Sequence, residues 1–183
     1  EEVREMFAKH GIEADVFQEI MFRTNIRKGD KRTNSLSFQG LGGVTTDEYA
    51  YLEGTPPQNP HEVALTYLTA GQIDAGIGDD VEIKVGEDTR TYTVTALHQS
   101  MNNMGEGIRF TEEADLDYTA ASGGFGIQVR LRDKSEDLST VIDKAKKIFP
   151  EGKVQNVQEF IDHMVGGISQ QLDSLKLMIL AIV

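Results

Sequence analysis

The chain has 183 residues, of which 39% are hydrophobic and 26% charged, with a formal net charge of -12 at pH 7 and no cysteine. A chain of this length and composition buries roughly 70% of its unfolded surface and is not disordered along its length. Its acidic balance opposes nucleic acid and anionic membrane surfaces, and the lack of cysteine removes thiol catalysis, cysteine-based zinc sites and disulfides.

In chain order, residues 1–10 predict the end of a helix, with Val3 and Phe7 one turn apart and Gly11 placed to stop it. From Val16 to Ile26 apolar and polar residues alternate with the period of a sheet. Lys28 to Ser35 reads as a polar turn and Leu36 to Gln39 as the return strand, after which Thr45 or Thr46 caps a short helix through Leu52. Gly54 to Pro60 holds three prolines and is extended or turning, and Glu62 to Thr66 is a short apolar strand. Asp80 to Val85 and Arg90 to Leu97, joined across Gly86, predict a hairpin with Val81, Ile83 and Val85 on one buried face.

Residues 98–124 show no sustained period. Phe125 to Leu131 alternates as a strand, and the next helix takes Ser135 as its cap and buries Leu138, Val141, Ile142, Ala145 and Ile148. Lys153 to Val157 then predicts a strand that completes a βαβ unit. Beyond it, Asn156 and Glu159 have capping-box spacing, and Ile161, Val165, Ile168, Leu172, Leu175, Ile179 and Ile182 recur in steps of four and three, which is a heptad seam. Gly166 and Gly167 predict a weak joint within that helix. The apolar run Leu177 to Val183 is expected to be the start of a transmembrane helix, since a full span needs about 20 apolar residues; the alternative is a C-terminal helix packed into the core.

Motifs that carry chemistry are sparse. His10, His61, His98 and His163 are scattered and form no HxH or HExxH pattern, so no metal ligands are assigned. Asp74, Asp79, Asp80 and Glu82 lack EF-hand spacing and read as a polar turn before a strand. Gly76-Ile77-Gly78 lacks the third glycine of a dinucleotide loop, because Val81 stands there, and neither a phosphate loop nor a GxSxG elbow is present. No catalytic and no cofactor-binding residues are assigned. Met101, Asn102, Asn103 and Met104 form a polar, thioether-rich patch that suits contact with a partner; the alternative is a loop with its methionines turned inward.

Gly54-Thr55-Pro56-Pro57, Glu62-Val63-Ala64-Leu65-Thr66, a helical spacer to Ala75, Gly76-Ile77-Gly78-Asp79, Val81 to Val85 and Tyr92 to Leu97 follow one another in an order that resembles the extracytoplasmic domain of FtsX-like, or MacB-like, permeases of ABC transporters. Thr66 stands where those families usually carry Ser, and Ala96 where Gly is usual.

The resemblance implies an α+β fold of two lobes: a βαβ membrane-proximal lobe from residues 1–28 and 125–158, an inserted β-rich outer lobe over 29–124, and a stalk helix over 159–183 that runs into a transmembrane segment. It further implies a non-catalytic domain outside the cell membrane, without cofactors. Such a domain couples the motion driven by a separate ABC ATPase subunit to a transported molecule or a partner, with the seam meeting the N-terminal helix near Val3 and Phe7 or a second permease copy. A ligand-sensing or adhesion ectodomain anchored by one helix is the alternative, and a secreted acid–base enzyme is a more distant one.

Overall fold

The computed structural model describes residues 2–43, 49–100, 102–122, 126–132, 137–152, 154–156, 159, 162–163 and 165–167. Their elements are α1 (Glu2–Lys9), β1 (Ala14–Lys28), β2 (Lys31–Leu41), β3 (Glu53–Gly54), β4 (Glu62–Thr66), α2 (Tyr67–Ile73), β5 (Asp80–Val85), β6 (Asp88–His98), β7 (Ile108–Phe110), β8 (Gly126–Leu131) and α3 (Leu138–Ile148). The mixture is α+β, as the resemblance implies. The chain divides into two compact units, Glu1–Asp15 with Arg130–Val183, and Val16–Val129. The division falls within β1 and β8, whereas the sequence reading puts it at residues 28 and 125.

In the unit Val16–Val129 the strands close a ring. β1 pairs antiparallel with β2, β2 parallel with β7, β7 antiparallel with β4, β4 parallel with β6, β6 antiparallel with β5, and β5 antiparallel with β1 again. Closure leaves these strands few open edges, which is how small β-rich bodies avoid edge-to-edge association. Phe22, Ile26, Leu65, Ile83, Tyr92 and Phe110 are all but inaccessible and fill the interior. Tyr92 and Phe110 meet edge to face with centroids 5.1 Å apart.

Helix α2 seats Ala70 and Ile73 in the same apolar cluster. Thr66 caps it, accepting from Thr69 N at 3.3 Å. The Thr69 hydroxyl oxygen in turn accepts from the Thr66 hydroxyl at 3.0 Å and from Gly107 N at 3.1 Å, and lies 3.3 Å from the Ser35 hydroxyl. The hydroxyl that stands in place of the usual Ser is therefore a structural cap inside a satisfied buried network.

Strand β2 begins at Lys31, not at Leu36, so the expected turn over residues 28–35 shrinks to Gly29 and Asp30 between the paired Lys28 and Lys31. Polar strand residues are satisfied across the ladder: Thr24 and Ser37 hydroxyls lie 2.7 Å apart, and Asn25 Nδ2 donates to Asn34 Oδ1 at 3.0 Å. The hairpin of β5 and β6 forms as expected, with Val85 opposite Asp88. Residues 49–52 are not helical. Leu52 N donates instead to Leu97 O at 2.9 Å, attaching β3 to β6, and Thr45 and Thr46 lie outside the described residues.

In the other unit α1 ends at Lys9, and Gly11 just beyond it, at a φ of 71°, is a left-handed stop. Phe7 is buried and packs on Phe149, ring centroids 5.6 Å apart. Asp137, not Ser135, caps α3, accepting from Thr140 N at 3.1 Å; Ser135 lies outside the described residues. Val141 and Ala145 form the buried stripe of α3, while Leu138 is exposed. Arg132 N donates to Glu13 O at 3.0 Å, and Asp15 accepts from Arg130 at 3.2 Å and from Arg132 Nε at 2.8 Å. The expected strand at Lys153 to Val157 is not formed by residues 154–156, and Lys153 and Val157 lie outside the described residues. β8 forms where the alternation predicts a strand, and its Ile127 and Val129 are exposed.

Candidate functional site

Of the seam residues, Ile161, Ile168, Leu172, Leu175 and Ile179 lie outside the described residues, as does Ile182. Val165 is helical and 44% exposed, and residues 159, 162, 163, 166 and 167 are helical as well. No helix among the described residues is long and apolar enough to cross a membrane.

Three of the four residues of the thioether-rich patch are described. Met101 lies outside the described residues, while Asn102–Gly105 form a 3-10 turn that ends with Met104 at a φ of 55°. That left-handed backbone is rare for a branched or long side chain. Met104 is 95% exposed, so this methionine is not turned inward.

The surroundings of Met104 come from three elements. Leu68, on the outer face of α2, has its Cδ2 3.6 Å from where a Cβ on Gly105 would stand, and Leu68 is itself 43% exposed. The Tyr67 hydroxyl donates to Glu53 Oε1 at 2.5 Å, joining α2 to β3. Gln72 Nε2 donates to Glu106 Oε1 at 3.3 Å, joining α2 to the segment after the 3-10 turn. Leu52 is exposed beside Glu53, and Ile77 is exposed with its Cδ1 against Gly54. Gly54 is obligatory here: its φ is 82°, and a Cβ would stand 2.1 Å from Thr95 O. Leu52, Tyr67, Leu68, Ile77 and Met104 are thus exposed apolar side chains on α2 and the segments beside it.

The acidic turn residues have separate partners. Asp74 accepts from Lys31 Nζ at 3.0 Å, Asp79 from Lys28 Nζ at 2.5 Å and from Gly76 N at 2.7 Å, Asp80 from the Thr93 hydroxyl at 2.8 Å, and Glu82 from Arg27 Nε at 2.8 Å. The bond from Lys31 holds Asp74, and that from Lys28 holds Asp79, below the usual carboxylate range. Among the described residues no three metal-ligating side chains converge. An open basin lined by Arg27, Arg32, Glu82 and Lys84 lies at the β1–β2 hairpin tip. His10 Nδ1 lies 2.8 Å from Met6 O, and His61 is 6.2 Å from the Tyr92 ring. His98 closes β6, where burial pushes its imidazole down and Arg109 adds to the effect.

Sequence reasoning missed Gln39, which is fully buried. Its Nε2 donates to the carbonyls of Thr111, Glu112 and Ala114 at 2.9, 3.1 and 2.8 Å, and its Oε1 accepts from the Tyr118 hydroxyl at 2.9 Å. The only sequence signal was a lone amide on the inward phase of an otherwise apolar and hydroxyl-bearing strand. Tyr67 and Leu68 fall in the helical spacer of the sequence reading, where a seven-residue helix gives too short a window to tell its faces apart, and Ile77 falls in the glycine turn after it.

No protein-family model and no curated protein matches the sequence. Solved structures do. The extracellular domain of the noncanonic ABC-type transporter YknZ from Gram-positive bacteria matches with a TM-score of 0.52 and 9% identity, over 79% of this chain and 80% of that one. The periplasmic region of MacB from Actinobacillus actinomycetemcomitans matches with a TM-score of 0.50 and 12% identity, over 73% of this chain and 66% of that one, so just under two thirds of its length is spanned. With sequence order and architecture agreeing, the chain has the fold of the extracytoplasmic domains of ABC-type transporter permeases.

Proposed function

We propose that this chain is the extracytoplasmic domain of an ABC transporter permease subunit, and that it breaks no bonds itself. It couples ATP-driven motion of stalk helices to the handling of a substrate or partner outside the cell membrane. The observation that carries this reading is the shared fold with the YknZ extracellular domain over most of both chains. On this reading ATP hydrolysis belongs to a separate ATPase subunit.

On this reading both ends of the chain form a membrane-proximal lobe, with the ring of strands as the inserted outer lobe. Residues 159–183 form the stalk, and the seam from Ile161 to Ile179 is tuned for another helix rather than for a broad core-facing stripe. Phe7 is engaged on Phe149, which favours a second permease copy over the N-terminal helix as the partner of the seam. The surface around Met104 is the place where the outer lobe meets another molecule.

The test is the intact membrane protein carrying Leu172→Glu with Leu175→Glu. The expected result is loss of ATPase-dependent transport with the melting temperature of the isolated domain unchanged. A double variant that fails to fold would show the helix to be core, because burying unpaired charge costs several kcal/mol. A parent protein that functions without any ABC ATPase would end the permease reading.

A further inference from the structure

The surface around Met104 has a charge character that the composition alone does not convey. Between Arg32 and Lys84 the chain has no lysine or arginine, and between Arg90 and Arg109 it again has none. Leu52, Glu53, Tyr67, Leu68, Gln72 and Ile77 come from the first of these stretches, and Met104 and Glu106 from the second. The fold lays the two cation-free stretches side by side.

Two carboxylates on this surface are oriented but not neutralised. Glu53 is held by the Tyr67 hydroxyl at 2.5 Å and Glu106 by the Gln72 side-chain amide at 3.3 Å, and both donors are uncharged. Neither carboxylate forms an ion pair among the described residues. The nearby Asp74 and Asp79, by contrast, are answered by Lys31 and Lys28. Tyr67 and Gln72, the two donors, are five residues apart on α2, about 7.5 Å of rise along its axis. Leu68 lies between them on the chain, with Met104 next to Glu106's segment.

An apolar centre flanked by fixed, unpaired negative charge selects for its complement. The geometry points to a basic, apolar-bearing segment of a partner protein as the occupant, its apolar side chains on Leu68, Met104 and Leu52 and its lysines or arginines on Glu53 and Glu106. Electrostatic pairing at such a site sets orientation and encounter rate, while the apolar contacts hold the complex. This inference rests on the partner-contact role given to the Met104 surface above, and supplies the chemistry of the partner.

The experiment titrates the full chain with three synthetic peptides of equal length: an amphipathic Lys/Leu helix, the matching Glu/Leu helix, and a Lys/Ser peptide without apolar anchors. Binding is read by fluorescence anisotropy at low and physiological salt. The Lys/Leu peptide is expected to bind, and the other two to bind at least about tenfold more weakly. Glu53→Lys with Glu106→Lys should weaken Lys/Leu binding by about tenfold or more, and so should Leu68→Ser with Met104→Ser. Glu5→Lys with Glu113→Lys makes the same change in net charge elsewhere and should change it by less than about threefold. Glu53→Gln with Glu106→Gln gives an intermediate loss and serves if the reversed pair misfolds.

Equal binding of the Glu/Leu peptide, or equal loss from the control reversal, overturns the inference, because attraction would then be apolar alone or due to net charge alone. The two levels separate in the intact permease. Loss of transport with Leu68→Ser and Met104→Ser, but none with the charge reversal, leaves the partner surface standing and removes the basic partner.

Discussion

Replacing Gln39 with Met tests whether the buried amide is what holds the chain after β7 to the ring of strands. Methionine keeps the length of the side chain but neither donates nor accepts comparably. The change strips hydrogen bonds from the Thr111 and Ala114 carbonyls, both buried, from the part-buried Glu112 carbonyl, and from the Tyr118 hydroxyl. The Ala114 carbonyl is left unmet at a cost of about 1–1.5 kcal/mol, the Thr111 carbonyl keeps its bond from Ala114 N at 3.3 Å, and Glu112 and Tyr118 recover part of their loss through water. The expected total is about 2 kcal/mol, which for a chain of this size lowers the melting temperature by roughly 4–8 °C. Urea and thermal unfolding of the full chain read it. Tyr118→Phe alone should cost about 1 kcal/mol or less, and in the Gln39→Met background almost nothing further, because its partner has gone. If Gln39→Met unfolds within about 0.5 kcal/mol of the parent, the amide is not a tether and the argument from unsatisfied carbonyls fails at this site.

Gly54→Ala should cost about 2–4 kcal/mol, since it combines a left-handed φ of 82° with a Cβ 2.1 Å from Thr95 O. Hydrogen exchange should show the Leu52 and Thr55 amides losing protection first, and unchanged protection there would refute the clash. A pH dependence follows from Glu62. The Gln58 backbone N–H at 2.7 Å, then the Asn59 side-chain amide at 2.8 Å, hold its carboxyl below the ordinary glutamate range. A depressed folded pKa gives stability that is present above the unfolded pKa and is lost as pH falls through the folded one. The advantage of the parent over Glu62→Gln in urea midpoints should therefore be largest near neutrality and shrink below the usual glutamate range. An advantage that stays constant down to strongly acid pH would refute the assignment.

The elements legible in the sequence are those whose signal is local. β1, β5 and β6 announce themselves by period-two alternation and by the glycine turn at Gly86, because each buries one face within a window of a few residues, and β4 by a short apolar run after the prolines. The ring itself leaves no such trace. Its closure depends on β2 lying parallel to the three-residue β7, and on β4 lying parallel to β6, pairings set by packing far along the chain. β2 was shortened in the sequence reading because Thr33, Asn34 and Ser35 look like turn residues; their hydrogen-bonding groups are answered across the ladder, which only the partner strand can supply. The β8 alternation carried no information about burial, since a repeat says which residues share a face and not what covers it.

The same distinction governs the candidate surface. Met104 was visible as an oddity of composition, but a methionine in a loop is as easily core as surface, and only the folded surroundings settle its exposure. The cation-free stretches were equally present in the sequence and meant nothing there, because Glu53 and Glu106, 53 residues apart in the chain, have no reason to act together. Tyr67 and Gln72 give them that reason. One short helix, capped by Thr66 and anchored inward by Ala70 and Ile73, turns its remaining face outward and uses its two polar side chains to fix a carboxylate from each segment. Were the surface only solvated acidity, nothing would require Glu53 and Glu106 to be held by neutral donors beside exposed leucine and methionine, since water satisfies a carboxylate without ordering it. The arrangement spends side-chain entropy on orientation, and orientation of charge is of use to a partner that must arrive in one register.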